Sequence, residues 1–182
     1  MARYDLYRKY FKHQCENHPD LAHADTNGSK VFQTIDVEEA LGDFRTGAKE
    51  KSFIFRLINY TFQVGDDGGD ETKKIFTGGF IVARYFDQRN TGESDFYTAV
   101  ESSEKIVDEL IEKMVSDSRA GHPLFYHTLD ARQNINVQPA LQFAPGYAGW
   151  LVTFTFSNPI RICLTDEAAP AWSDGGQTPF EL

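Results

Sequence analysis

Apolar and polar positions alternate twice at length in this chain and then give way to a repeat of three and four. The first alternating run, Ser52–Val64, places Phe53, Phe55 and Leu57 on one side and Ile54, Ile58, Tyr60 and Phe62 on the other, because successive strand residues point to opposite faces. The second, Lys74–Phe86, sets Phe76, Phe80, Val82 and Phe86 against Ile75, Ile81 and Tyr85. Both faces of the first run are apolar, so this strand is expected to be covered on both sides or to lie in an assembly. Gly78-Gly79 within the second run predicts a bulge or the close approach of another backbone. Between the runs, Gly65–Thr72 is acidic and glycine-rich, the composition of an exposed hairpin connector.

The change of period comes at Asp95. From there to about Ser118, Phe96, Ala99, Val100, Ile106, Val107, Leu110, Ile111, Met114 and Val115 make one broad apolar stripe, the mark of an amphipathic helix. Ser94 or Asp95 is the expected cap, and Gly121 followed by Pro123 the stop. Such a helix packs its stripe most economically across the preceding hairpin. A shorter helix is expected over residues 3–15, with Tyr4, Tyr7 and Phe11 on one side and Pro19 ending the segment. Val31–Ile35 reads as a short strand, and Asp36–Leu41 as one or two helical turns closed by Gly42. A broken strand is expected near Phe125–Val137. A clean one follows at Trp150–Ser157, with Trp150, Val152, Phe154 and Phe156 opposite Thr153, Thr155 and Ser157. Pro159 interrupts it, and Ile160–Leu164 continues it.

No repeat or linker divides the chain. The expected architecture is a single α+β domain, residues 1–164. It is a mainly antiparallel sheet with a long β-hairpin, packed by one long amphipathic helix and an N-terminal helix. Residues 165–182, with Pro170, Pro179 and the isolated Trp172, read as an extended tail.

Composition adds a leaning towards interfaces. A length of 182 residues suits one domain with a real core. Aromatic residues make up 14%, and they are enriched where proteins meet. A net charge of −9 argues against a general nucleic-acid binder, which needs cations to neutralise phosphates. The first twelve residues run the other way, with Arg3, Arg8, Lys9 and Lys12 against Asp5. Cys15 and Cys163 form no disulfide framework and read as reduced thiols in a cytoplasmic setting. Met1–Asp5 has no apolar leader, and no run approaches the roughly 18–20 apolar residues of a membrane span. A soluble intracellular protein is expected.

Catalytic chemistry finds little footing. His13, His18 and His23 recur every five residues, which does not stack them on one helix face, and with Cys15 they match no standard ligand spacing. Asp66, Asp67, Asp70 and Glu71 lack the register of a calcium loop. Nucleophile-elbow, phosphate-loop, dinucleotide and zinc-protease motifs are missing. The expectation is no enzyme, no cofactor and no metal. Trp172, alone in an acidic tail, suits an anchor on a neighbouring subunit.

The order of elements, an N-terminal helix, a long hairpin, a long amphipathic helix and further strands closing on Gly149–Pro159, resembles that of bacteriophage tail terminator and tail completion (neck) proteins, including those of phage-like contractile particles. The likeness covers roughly residues 3–164. It implies a structural subunit whose copies form a ring, typically a hexamer, that caps the tail tube or joins it to the connector. Tail tube and head–tail connector proteins would be its partners, DNA would pass without being specifically bound, and no membrane is involved. The particle, viral or phage-like, would be assembled in the host cytoplasm. No catalytic residue comes with the resemblance. The assembly elements expected are Tyr4, Tyr7 and Phe11, the connector acids Asp66, Asp67 and Asp70, and Trp172. The segment 128–148 departs from the simple plan of such subunits. A different reading is a small ligand- or peptide-binding module whose aromatic sheet forms a groove lined by Trp150 or Tyr147. A third is a hydrolase whose site forms only in three dimensions.

Overall fold

The computed structural model describes residues 3–23, 31–35, 53–66, 72–87, 93–125, 127–129, 134–144 and 146–159. The fold is α+β. Helix α1 (Arg3–Asn17) is followed by strands β1 (Phe32–Ile35), β2 (Phe53–Asp66) and β3 (Thr72–Tyr85). Helix α2 (Glu93–Arg119), β4 (Ile135–Ala144) and β5 (Tyr147–Pro159) complete the order. The strands lie in one sheet ordered β1-β2-β3-β5-β4. All neighbours are antiparallel except β1 and β2. β3 and β4 therefore run the same way, with α2 crossing between them and β5 filling the gap.

The helices share one face of the sheet. Tyr7 and Phe11 from α1, and Ile106, Val107, Leu110 and Met114 from α2, form one cluster with Phe55, Leu57, Phe80, Val82, Val152, Phe154 and Phe156. Within each strand these residues are ones that the alternation groups on a single face. At the end of α2 the chain closes in a Schellman turn. Gly121 N–H donates to Ser118 O and His122 N–H to Asp117 O, at 3.0 and 2.9 Å, with Gly121 at φ 79°. A glycine adopts this left-handed conformation without a Cβ penalty.

Four sequence expectations need correction. Tyr60 and Phe62 lie on the helix-covered side with Phe76, not with Ile54. The cause is a bulge: Ile58 pairs with Gly79 and Thr61 with Thr77, so Asn59 and Tyr60 together oppose Gly78 alone. One extra residue reverses the parity of the strand beyond it. The last expected strand pair also moves. Thr128 and Leu129 lie outside any strand, and β4 runs from Ile135 to Ala144, across Pro139, which is tolerated because β4 is an edge. The region set apart as a departure from the plan thus supplies the edge strand. α2 begins at Glu93, so Ser94 and Asp95 belong to its first turn rather than capping it. The hairpin strands run to Asp66 and from Thr72, which shortens the connector. The turns expected at Asp36–Leu41 and the continuation at Ile160–Leu164 lie outside the described residues.

Candidate functional site

The glycine pair in β3 explains why α1 sits where it does. A Cβ on Gly78 would lie 2.7 Å from the Tyr7 hydroxyl oxygen, and one on Gly79 would lie 2.8 Å from Val152 O. The expected close approach is therefore real, made by a tyrosine at Gly78 and by backbone at Gly79. The Tyr7 hydroxyl donates to Ile58 O at 2.9 Å and accepts from Gly79 N–H at 3.2 Å, beside the bulge where the β2–β3 ladder is interrupted. Burial pushes the Tyr7 phenol far above its ordinary value, with the Gly79 N–H opposing. It is a fixed neutral hydrogen-bonding group.

This placement removes two residues from the expected assembly surface. Tyr7 and Phe11 are both 0% exposed. Phe11 packs on Phe55, Phe80 and Phe154 with centroids 5.5–6.1 Å apart. Their side chains are spent on joining α1 to the sheet. Tyr4, one turn earlier, is 42% exposed. Its hydroxyl donates to Asn59 Oδ1 at 2.6 Å, and its ring tilts against Tyr60 at 6.0 Å.

Tyr4 thereby leads to the largest apolar exposure on the hairpin. Past the bulge, Phe62 and Val64 are 56% and 58% exposed. Phe62 leans on Phe76 at 5.7 Å, and the Lys74 ammonium lies 5.3 Å from the Phe62 ring centre. Arg3 covers the other side of Phe76, its guanidinium 5.3 Å from that ring, while donating to Leu124 O at 2.8 Å. Arg3 and Lys74 thus flank the patch. Sequence reasoning missed Phe62 and Val64 as surface residues because the parity switch at the bulge leaves no mark in the alternation. Asp66 ends β2. Asp67, Asp70 and Trp172 lie outside the described residues.

The titratable groups make a structural set. The His18 ring faces the Glu109 carboxylate at 3.0 Å and accepts from Asp20 N–H through Nδ1, which ties the end of α1 to α2. His23 Nδ1 accepts from Val31 and Phe32 N–H at 3.1 and 3.2 Å, setting the entry to β1. The Tyr10 hydroxyl donates to Asp117 at 2.9 Å. Burial and that carboxylate both raise the phenol. Cys15 is buried, and burial pushes its thiol up, away from the reactive thiolate. Among the described residues no group of three or more His, Cys, Asp or Glu is placed to hold a metal.

The aromatic sheet face is filled rather than open. Trp150 is half-buried and donates its indole N–H to Val100 O at 3.1 Å, and Tyr147 is buried on the opposite face with Ile54, Ile81 and Ala83. A shallow pocket of about 210 Å³ sits elsewhere, between the outer end of the hairpin, at Gly65 and Lys73, and Thr128, Asn134, Thr155 and Ser157. Thr128 bridges to Ser157 there and Asn134 donates to Thr128 O, so its polar groups hold one another. No helix among the described residues is long and apolar enough to cross a membrane. No protein-family description matches the chain, and no curated protein matches it.

Proposed function

We propose that this chain is a structural subunit of a phage or phage-like tail or neck, forming a ring that caps the tail tube or joins it to the connector. The observation that carries the reading is the outer half of the β2–β3 hairpin. There Phe62 and Val64 are displayed beside Tyr4, on a rigid sheet whose aromatic interior is already packed by its own helices. Apolar side chains held exposed on rigid elements are what an assembly surface needs. The acids of the connector and the exposed Glu101, Glu104, Asp108 and Glu112 along α2 suit a wall along which DNA moves without adhering, since like charges lower affinity. The element order carries the rest of the reading.

The alternative of an aromatic binding groove loses its groove, because Phe55, Phe80, Phe154 and Phe156 are at most 1% exposed. Negative-stain images of the concentrated chain, alone and with tail tube protein, test the proposal. Rings with a central channel are expected. Unclosed filaments, or particles of single-chain size under both conditions, would overturn it.

A further inference from the structure

Aromatic rings run without a break from α1 to the outer end of the hairpin. Tyr4 lies on Tyr60, Tyr60 on Phe76 and Phe76 on Phe62, with centroids 5.2–6.0 Å apart. Two cations cover this run. The Lys74 ammonium lies over Phe62 and the Arg3 guanidinium over Phe76, each 5.3 Å from the ring centre. Arg8, one turn on from Tyr4 along α1, is exposed as well. Phe62 and Val64 remain more than half exposed beside these charges. On a chain of net charge −9, this is a local surface that is both apolar and positive. Its complement is a segment that carries aromatic side chains and acids together.

The sequence contains such a segment. Asp166–Leu182 holds Asp166, Glu167, Asp174 and Glu181, with no lysine, arginine or histidine, and its aromatic residues are Trp172 and Phe180. Trp172 has acids on both sides, as Phe62 and Phe76 have cations.

We propose that the surface of Tyr4, Phe62, Val64, Arg3 and Lys74 is the socket for the C-terminal segment of a second copy of this chain. Trp172 seats on the rings, and the acids around it meet Arg3 and Lys74. The direction of β5 selects a second copy over the chain's own segment. β5 runs outwards along the hairpin, and its last residue, Pro159, pairs with Lys73, which pairs in turn with Gly65. At Pro159 the chain is therefore already past the level of Val64. Reaching its own Phe62 from there requires a reversal, whereas a neighbour beyond the hairpin end is reached by going on. Residues 160–172 span up to roughly 40 Å when extended, enough to leave one copy and anchor on the next.

A contact in which each copy gives its segment to the next is heterologous, and such contacts close into a ring when the rotation allows. The inference thus rests on the ring reading and supplies the joint between its copies. Two full-length proteins test it, each in a Cys163→Ser background and each with one new cysteine, Val64→Cys in one and Ser173→Cys in the other. Mixed at micromolar concentration under mild oxidation, they are expected to form a covalent pair. Tyr97→Cys, on the exposed face of α2, takes the place of Val64→Cys as control and is expected to give far less. Lys74→Glu and Trp172→Ala are each expected to weaken association about tenfold by light scattering, with circular dichroism unchanged. Because both act on one contact, the double variant should lose little more than either.

Equal yields at positions 64 and 97, or losses that simply add, would overturn the proposal. So would mixed chains that fail to pair while a single chain carrying both cysteines closes on itself at the same concentration, which would give the socket to the chain's own segment. Rings that persist unweakened in Trp172→Ala sink this inference alone. A covalent pair found in unclosed filaments sinks the ring and leaves the socket.

Discussion

At the scale of single residues, the Tyr7 hydroxyl and the missing side chain of Gly78 form one feature. The hydroxyl reaches the sheet only because Gly78 has no Cβ. Tyr7→Phe would leave Gly79 N–H without its partner in a buried place, and is expected to cost about 1–3 kcal/mol. Gly78→Ala would press a methyl onto the Tyr7 ring and Phe154, at a cost of about 1–3 kcal/mol. Because the closest clash is with the hydroxyl itself, the double variant should lose at least about 0.5 kcal/mol less than the sum. Chemical denaturation of the four proteins measures this, and strict additivity would break the link drawn between the two residues. His122 gives a pH signature. Burial holds its imidazole below the ordinary 6.5, with Asp117 opposing and Lys113 adding to the effect. The unfolded chain therefore binds the proton first. Stability present above about pH 6.5 should decline as pH falls towards the folded value. His122→Asn should flatten the melting temperature between about pH 7 and 5 relative to the parent. An unchanged slope would remove His122 as its source.

At the scale of elements, α2 owes its sharp end to Gly121. Gly121→Ala forces a Cβ into a left-handed conformation and towards His127 Nε2 at 2.9 Å. It is expected to destabilise by roughly 1–2 kcal/mol, read as a fall in thermal midpoint. A neutral result would mean that the turn does not hold the helix end. This turn was legible in the sequence, as were β5, β3 and the stripe of α2, because each keeps one period from end to end. What escaped did so for identifiable reasons. The bulge at Asn59 and Tyr60 changes parity inside an apolar run, where either parity looks acceptable, so Tyr60 and Phe62 were placed on the wrong face. β4 carries Pro139 and little alternation, the disguise of an edge strand. Tyr7 and Phe11 have the amphipathic spacing of a docking helix. That spacing does not say whether the partner is another chain or, as here, the chain's own sheet. The exposed Phe62–Val64 surface, where the candidate site lies, was hidden by the same bulge.

At the scale of the whole molecule, the sheet carries both helices on one face and displays apolar side chains at the outer end of its hairpin. Its helix-covered face is closed by α1 and α2. Its β4 edge carries a proline, while the outer half of β2 presents apolar side chains on a neutral strand. We propose that a molecule of this kind works by assembly, and that is the central claim. The most direct measurement is the solution mass of the full chain by light scattering from micromolar to millimolar concentration, alongside a chain ending at Asp166. The account predicts a closed oligomer of fixed mass, weakened when the Trp172 tail is removed. A single-chain mass of 20.6 kDa throughout the series, in both proteins, would contradict it.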